Sequence, residues 1–464
     1  MHAPRTLASV WAAKATALAS RTLGRGGGTA ASGLLGLWLQ PSLVRDLAGQ
    51  LGRGCVIVTG TNGKTTTARL IGAASRSAGI EPLANASGSN LMRGIASALA
   101  LAADGDGRVP DAGRRLGVFE VDEASVSRAL PELSPRVVVF TNLFRDQLDR
   151  YGEVEAVAAR WRQALAAAPA GLRLVLNADD PSVASLGEGR EGVFYFGLED
   201  RRLGRPTAEH AADALFCRCG ARLEYSVAFF SHAGHWRCRS CGRARPKPAV
   251  SARLVKLEDG RSSRFQLVVG DEKAQVRLGL GGLYNVYNAL AAAAAGEALG
   301  LPRETTLAAM GETEAAFGRQ EAFEVDGRRV EVLLAKNPAG LNQVLSTLLL
   351  DGSRRTALII LNDGIADGRD ISWVWDADFE AAAGRLERVV VSGTRAADMA
   401  LRLKYAEWDE AALEVVPDVG PALERALALT RPGECLIVVP TYTAMLDVRG
   451  LLARRTGRKA FWQL

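Results

Sequence analysis

Short apolar runs rich in β-branched residues alternate with longer segments of helical spacing over most of the chain. The runs lie at 55–59, 116–119, 137–140, 172–176, 193–196, 358–361, 389–391 and 436–439. Each ends in polar residues, proline or glycine, which predicts buried strands that alternate with helices. Such alternation is typical of parallel sheets covered by helices, so we expect an α/β fold with two such sheets, the second of them Rossmann-like.

The first of these runs leads directly into a glycine turn and a helix. The turn and the start of the helix read Gly60-Thr61-Asn62-Gly63-Lys64-Thr65-Thr66. Gly60 and Gly63 allow backbone N–H groups to point at phosphate oxygens beside the positive end of the helix dipole. Lys64 can reach the terminal phosphates of a nucleotide, and the Thr65 hydroxyl can ligate magnesium. The segment therefore predicts a site for ATP and Mg2+, although its glycines stand closer together than in the usual P-loop.

Acidic residues follow two further runs. Glu120 and Glu123 come directly after one of them, and Asp149 lies beyond the next. Ligands bind beyond the carboxyl ends of the strands in open α/β sheets, so Glu120 is our candidate for a second magnesium ligand beside Thr65. For Glu123 and Asp149 the alternative is that they are solvated turn residues.

Composition limits the function classes. The 464 residues are 48% hydrophobic and 23% charged, which suggests two or three globular domains. The net charge of +6 favours an anionic ligand or a membrane surface and does not imply nucleic acid. No apolar run approaches the length of a membrane span, and the start of the chain lacks a secretory core. We therefore expect a cytoplasmic protein.

Residues 5–23 predict a basic amphipathic helix. Val10, Trp11 and Leu18 have near-helical spacing, and basic residues stand among them. Arg25-Gly26-Gly27-Gly28 then breaks the pattern. Such a helix contacts a membrane or packs on the protein's own core, and we expect the core because that arrangement is the commoner one.

Four clustered cysteines predict a structural zinc ribbon inserted at residues 206–249. They are Cys217, Cys219, Cys238 and Cys241, two pairs that flank a β-like segment. Only one residue separates the first pair, so His232 or His235 is an alternative to one of the thiols, and His210 lies nearby. Four protein ligands leave zinc no open position, which favours a structural role.

Four segments resemble the ATPase domain of the Mur ligases. They lie at 60–66, 146–151, 177–180 and 282–289. The resemblance implies that ATP converts a carboxylate into an acyl phosphate, which a nitrogen nucleophile then attacks. Lys64, Glu120 and Arg319 would act on the transferring phosphoryl group. The residues implied in nucleotide binding are Gly60, Thr61, Asn62, Gly63, Lys64, Thr65, Thr66, Asn285 and Arg319. Gln147 stands where many Mur ligases have a metal-binding histidine.

The resemblance and the hydrophobic pattern together suggest three units. We expect an N-terminal helical segment at 1–48 and a Mur-ligase-like P-loop ATPase domain at 49–312, which contains the zinc-ribbon-like insertion. A Rossmann-like domain at 313–464 would begin with the hinge segment that carries Arg319.

The segments 336–343 and 367–380, with the cysteine insertion, resemble the MurT branch of this family, the synthetase subunits of lipid II isoglutaminyl synthases. The resemblance implies amidation of the D-glutamate α-carboxylate in lipid II to D-isoglutamine, at the inner face of the cell membrane, in peptidoglycan synthesis. Ammonia would come from a glutamine amidotransferase (GatD-like) subunit, whose catalytic triad Asp376 of this chain completes. The pattern alone does not separate Asp376 from Asp370 or Asp378.

The cysteines agree with a glutaminase on a separate subunit. Glutamine hydrolysis needs an activated cysteine with a histidine base in reach, whereas Cys55 and Cys435 lie in predicted buried strands. Two alternatives remain: a stand-alone Mur-type ligase that adds an amino acid, and a nucleotide-driven binding module that acts through the zinc ribbon. The aspartate-rich loop argues against the first and the acids near the cradle argue against the second.

Overall fold

The computed structural model describes residues 4–22, 29–85, 89–146, 154–206, 212–258, 262–312, 319–348 and 355–457. Its helices are α1 Pro4–Thr22, α2 Thr29–Leu39, α3 Leu43–Ala48, α4 Lys64–Ser77, α5 Met92–Ala102, α6 Val126–Leu133, α7 Val154–Ala166, α8 Pro181–Ala184, α9 Leu283–Leu299, α10 Arg303–Glu312, α11 Pro338–Leu348, α12 Ala396–Tyr405, α13 Val419–Leu429 and α14 Tyr442–Thr456. The predicted break at Arg25–Gly28, as well as Gln147, Asp149 and His210, lies outside the described residues.

The strands form two large sheets and a hairpin. They are β1 Cys55–Thr59, β2 Glu81–Ala84, β3 Arg115–Glu120, β4 Val137–Phe140, β5 Arg173–Asn177, β6 Val193–Leu198, β7 Glu224–Phe230, β8 Ala233–Arg237, β9 Val250–Glu258, β10 Ser262–Val269, β11 Glu272–Leu278, β12 Arg319–Val325, β13 Arg328–Leu333, β14 Arg355–Ile360, β15 Leu386–Ser392, β16 Leu413–Val415 and β17 Cys435–Pro440.

The first sheet has the order β11-β10-β9-β6-β5-β4-β1-β3-β2. Its strands β1 to β6 are parallel, as the sequence pattern predicts, and β9 joins β6 in parallel. The antiparallel edge made by β10 and β11 was not predicted. All five residues of β1 are buried because helices cover both faces of the sheet.

The two faces of β1 pack against different parts of the chain. Val56 and Val58 belong to a core that contains most of the alanine-rich helix α9, whereas Cys55 and Ile57 belong to a core with residues of α1, α3 and α5. This division follows from the alternation of side chains along a strand. Helix α9 begins at Leu283 and runs through the alanine-rich stretch to Leu299.

The N-terminal helix confirms the predicted secondary structure and the predicted packing on the protein's own core. Val10, Ala13 and Ala17 are buried, but Trp11 and Leu18 are 57% and 65% exposed. Only one face of α1 therefore packs on the core, and two of the apolar residues in the sequence pattern face outward. Among the described residues, no helix combines the length and apolar character that crossing a bilayer requires.

The second sheet has the order β12-β13-β17-β14-β15-β16 and is parallel apart from its edge strand β12. Helix-covered cores lie on both of its faces. The three predicted C-terminal strands correspond to β14, β15 and β17. The hairpin of β7 and β8 stands in the predicted insertion, after β6 and before β9.

Trp161 on α7 provides a test of the core that contains Cys55 and Ile57. It is 1% exposed, its ring centroid lies 4.8 Å from that of Phe140, and its Nε1 donates to the Glu123 carbonyl oxygen at 2.9 Å. We expect Trp161→Ala to lower the free energy of unfolding by about 3–5 kcal/mol, because it leaves a cavity and an unpaired carbonyl. Urea unfolding followed by circular dichroism measures this change.

The matched control is Trp38→Ala on α2, where the ring is 76% exposed. That change is expected to alter the free energy of unfolding by less than about 0.5 kcal/mol. Equal effects of the two substitutions would contradict the assignment of Trp161 to the core.

Candidate active site

The glycine turn after β1 has a backbone that side chains would not tolerate. Gly60 has φ +125° and Gly63, immediately before α4, has φ +87°. A Cβ at Gly60 would lie 2.3 Å from the Thr141 Oγ1, and one at Gly63 would lie 2.0 Å from the Asn288 Oδ1. Both positions therefore require glycine for conformational and steric reasons. We call residues 60–66 the cradle.

The loop after β4 holds the cradle in place. The Asn62 N–H donates to the Asn142 Oδ1 at 2.8 Å, and the Asn142 Nδ2 donates to the Asn62 carbonyl oxygen at 3.0 Å. The Thr61 Oγ1 donates to the Phe144 carbonyl oxygen at 3.0 Å. Thr61 therefore has a structural role within the turn, in addition to its predicted position beside the nucleotide.

Lys64 forms a buried ion pair with Glu123. Its Nζ lies 3.2 Å from the Glu123 Oε1 and donates to the Gly60 carbonyl oxygen at 2.5 Å, and both side chains are less than a tenth exposed. Burial raises the pKa of Glu123, and the ammonium of Lys64 opposes that rise. The alternative that Glu123 is a solvated turn residue is wrong. This carboxylate is a site residue that we did not select, and the signal that could have found it is its position three residues after Glu120.

Thr65 and Glu120, the predicted magnesium ligands, are in contact. The Thr65 Oγ1 donates to the Glu120 Oε2 at 2.7 Å, and Glu120 is 8% exposed. The side chain of Asn85 bonds the backbone N–H and the backbone carbonyl of Glu120, each at 2.9 Å, which fixes the end of β3. A hydroxyl and a carboxylate are oxygen donors of the kind that Mg2+ takes, so this pair fits the metal. Thr66 is buried in the first turn of α4.

The second sheet unit closes over the cradle through two polar contacts. The side-chain amides of Asn62 and Asn337 bond each other reciprocally, both at 3.3 Å. The Lys336 Nζ forms an ion pair with the Asp146 Oδ2. Residues from both units line an open cavity of about 780 Å3 between them, including Gly63, Tyr284, Asn288 and Lys336.

Asn285 lies close to this cavity, in the first turn of α9. It is 4% exposed, its Nδ2 donates to the Gly281 carbonyl oxygen at 2.7 Å, and its Oδ1 accepts from the Asn288 Nδ2 at 3.1 Å. Its neighbour Asn288 lines the cavity itself. The backbone of Arg319 begins β12 opposite Leu333, and its side chain lies outside what the structure describes.

Asp376 ends a 3-10 turn at Ser372–Asp376 and is joined to the first sheet unit. Its Oδ2 accepts from the Arg145 Nη1 at 2.7 Å, while the Arg145 Nε pairs with the Asp213 carboxylate. The side chain of Asp376 is 39% exposed. The carboxylate therefore remains accessible although an arginine orients it.

The two neighbouring aspartates are engaged within their own unit. The Asp370 Oδ1 accepts from the Ser372 N–H at 2.8 Å, and hydrogen bonds from Ser372 lower the pKa of Asp370. The Asp378 N–H donates to the Asn342 Oδ1 at 2.8 Å, and its Oδ2 accepts from the same side chain at 3.3 Å. Asp376 contacts Arg145 of the other unit, and the sequence pattern did not contain this contact.

The four clustered cysteines converge in space. The Cys217 and Cys241 sulfurs lie 3.5 Å apart, as do those of Cys219 and Cys238, and all four sulfurs fall within 4.8 Å of one another. Sulfurs around a tetrahedral zinc ion lie roughly 3.8 Å apart, because each Zn–S bond is about 2.3 Å. The four thiols fit a structural zinc ion despite the tight first pair.

Both histidines near this cluster are engaged elsewhere. The buried His232 has its Nε2 3.3 Å from the Asp180 Oδ2, and the His235 Nε2 lies 2.8 Å from the Leu198 carbonyl oxygen. The alternative that either histidine replaces a cysteine is therefore wrong.

Comparison with known proteins identifies the family. Residues 58–216 match the Mur ligase middle domain and residues 334–445 match the MurT ligase C-terminal domain. The chain is 33% identical over 454 residues to the lipid II isoglutaminyl synthase (glutamine-hydrolyzing) subunit MurT of Staphylococcus aureus, covering 97% of this chain and 98% of that protein. The chain belongs to the MurT branch of the Mur ligases.

A second MurT relative and a solved structure agree with this assignment. The subunit MurT of Streptococcus pneumoniae is 32% identical, over 93% of each chain. The structure of a pseudomurein peptide ligase type C from Methanothermus fervidus has a TM-score of 0.66 at 22% identity, covering 87% of this chain and 79% of that one, which supports the Mur-ligase fold. As a member of the MurT branch the chain is a ligase, in a family that uses ATP and Mg2+.

Glu120→Gln tests the proposed magnesium ligand, because it keeps an acceptor for Thr65 and removes the charge. Changing even an outer partner of a metal ligand costs about 10–100-fold in metal affinity, so we expect at least that loss here. Calorimetric titration of ATP into the protein, once with Mg2+ and once with EDTA in the buffer, measures the loss of metal affinity. Mg2+ should strengthen ATP binding in the wild type and have little effect in the variant. Glu155→Gln on α7, a 64% exposed glutamate, is the control. An unchanged effect of Mg2+ in Glu120→Gln would exclude this role.

Cys238→Ser tests the zinc site. We expect the wild type, purified without chelators, to contain stoichiometric zinc by mass spectrometry, and the variant to lose most of it because three ligands remain. Cys435→Ser, at the start of β17 in the other sheet, should retain the zinc. A zinc-free wild type would contradict the assignment.

Proposed function

We propose that this chain catalyses ATP-dependent amidation of the D-glutamate α-carboxylate in the lipid II stem peptide, which yields D-isoglutamine for peptidoglycan synthesis. The observation that carries the proposal is the identity of about a third, over nearly the whole chain, to proteins named as the MurT subunit of this synthase. In this proposal the chain acts at the cytoplasmic face of the membrane and receives ammonia from a GatD-like glutamine amidotransferase subunit.

The chemistry has two steps. A carboxylate oxygen of the substrate forms a bond to the γ-phosphorus of ATP, the bond to the bridging oxygen breaks, and ADP leaves. The nitrogen of ammonia then bonds to the acyl carbon of the acyl phosphate, phosphate leaves, and the nitrogen loses a proton. Both steps concentrate negative charge on phosphate oxygens, so they require cationic groups at fixed positions.

The residues of the cleft suit this demand. The N–H groups of the cradle and the ammonium of Lys64 would bind the phosphates, which requires Lys64 to exchange its contact with Glu123 for a phosphate oxygen. Thr65 and Glu120 would hold Mg2+, which when bound neutralises phosphate charge. Lys336 approaches from the facing unit, and Arg319 stands at the start of that unit, where we propose that it clamps the phosphates.

The placement of the thiols favours glutamine hydrolysis on a separate subunit. Burial raises the pKa of the Cys55 thiol to about 12, which keeps it protonated and unreactive. The four thiols of Cys217, Cys219, Cys238 and Cys241 form the cluster that fits a zinc ion. His232 is buried beside Asp180, and His235 bonds a backbone carbonyl. In these contacts neither histidine pairs with a thiol, whereas a glutaminase requires a thiolate next to a histidine base.

Asp376 is our choice for the residue that completes the partner's triad. Its loop is anchored by the buried Arg402, which donates to the Val374 and Ala377 carbonyl oxygens at 3.1 and 2.6 Å. The same guanidinium lies 5.6 Å from the ring centroid of Trp375. A half-exposed carboxylate on an anchored loop suits the third member of a triad, which orients an imidazole and stabilises its charged form.

Asp376→Asn separates the two half-reactions. With ammonium as the nitrogen source, we expect amidation of lipid II to continue, because the synthetase cleft is intact. With glutamine and the partner subunit, we expect turnover to fall by about 10²–10⁴-fold, since asparagine does not stabilise imidazolium. Mass spectrometry of the stem peptide measures both rates, and Asp370→Asn is the control.

Three other outcomes are informative. Loss of ammonium-driven turnover in Asp376→Asn would show that the synthetase reaction itself needs this residue, either directly or through its pair with Arg145. Unchanged glutamine-driven turnover would exclude the triad role. If the wild type forms no amide from either nitrogen source, the lipid II assignment fails and a different carboxylate substrate must be sought.

A further inference from the structure

The two N-terminal helices expose an unusual set of apolar side chains. Those on α1 are Trp11, 57% exposed, and Leu18, 65% exposed; those on α2 are Leu34, 59%, Leu35, 36%, and Trp38, 76%. Single exposed apolar residues are common, whereas a group of this size on two adjacent helices marks an interaction surface. We call these five residues the apolar face.

Both helices use their other sides to pack, although the Trp11 indole also contacts the protein, since its Nε1 donates to the Gly105 carbonyl oxygen at 3.1 Å. The Ser32 hydroxyl of α2 bonds the Ser97 hydroxyl of α5 at 2.7 Å. A Cβ at Gly33 would lie 1.7 Å from the Arg93 carbonyl oxygen, so α2 is in close contact with α5. A Cβ at Gly36 would lie 3.8 Å from the Cβ of Ala13, which places α1 beside α2.

The charges of the helices indicate what covers the apolar face. Neither α1 nor α2 contains an aspartate or a glutamate, and α1 contains Arg5, Lys14 and Arg21, of which Lys14 lies within electrostatic range of Asp104 on the loop after α5. Basic residues without acids favour an anionic surface, and tryptophan prefers the boundary between lipid headgroups and acyl chains. Since no described helix can span a bilayer, such helices would lie in the plane of the interface.

We propose that α1 and α2 dock the chain on an anionic phospholipid bilayer. The apolar face inserts at the level of the headgroups, and Arg5 and Lys14 contact lipid phosphates. The proposal goes beyond the amidation reaction and rests on the helices' own residues. It would also hold the cleft near a substrate that carries a lipid.

Vesicle binding tests the proposal without lipid II or ATP, so its outcome is independent of the amidation assay. The full chain is co-sedimented with vesicles of phosphatidylglycerol and, separately, of phosphatidylcholine. We expect the wild type to prefer phosphatidylglycerol. The double variant Leu34→Ser and Trp38→Ser should bind about tenfold or more weakly, because it loses inserted apolar area. Lys14→Glu should lose about fivefold on phosphatidylglycerol only.

The matched control removes two exposed apolar residues from the other unit. Ile365→Ser with Leu401→Ser changes side chains that are 82% and 47% exposed, and it should bind vesicles as the wild type does. The single variant Trp11→Ser repeats the test on α1. Thermal unfolding checks that each variant is folded.

Three results would overturn the proposal. The first is that the wild type does not bind phosphatidylglycerol vesicles. The second is that the Leu34 and Trp38 double variant binds these vesicles as well as the wild type does. In the third result, light scattering shows that the wild type is a dimer which this double variant dissociates, and the apolar face is then an interface between copies of the chain.

Discussion

The candidate site depends on the loop that follows β4, because this loop contacts both the cradle and the second sheet unit. Asn142 bonds the backbone of the cradle, and three residues later Arg145 pairs with Asp376 of the second unit. Asp146, the next residue, pairs with Lys336. A stretch of five residues, 142–146, therefore links the phosphate site to the second unit. Charge-assisted contacts of this kind are stronger and more directional than neutral ones.

The electrostatics of the cleft explain how a site built from buried charges stays stable before a nucleotide arrives. An unpaired buried ammonium is costly, and Glu123 offsets that cost for Lys64. Lys336 lies near enough to lower the pKa of Glu123, and Asp146 is near enough to raise it. The positive charges of Lys64 and Lys336 thus offset the negative charges of Glu123 and Asp146 across the two units. Phosphate groups entering this set add negative charge, which suits the additional cation that we propose for Thr65 and Glu120.

Sequence reasoning succeeded where the physics is local. The strand β1, the turn at Gly60 and Gly63 and the start of α4 at Lys64 follow from β-branched residues, glycine conformations and helix spacing over about a dozen positions. The pairs Arg145–Asp376 and Asn62–Asn337 join residues hundreds of positions apart, and no periodicity records them. The outward face of α1 was also missed, since spacing shows that a helix is amphipathic but not which side finds a partner.

The pairing of Asp376 with Arg145 is compatible with a role for Asp376 in a partner's active site. Arg145 lies between two carboxylates, those of Asp213 and Asp376, so its single positive charge does not neutralise both. The group keeps a net negative charge, and the half-exposed Asp376 is the member that solvent reaches more readily, because Asp213 is 5% exposed. An imidazolium approaching from outside would be attracted to that remaining charge. The arginine thus fixes the carboxylate without consuming its capacity to stabilise a second cation.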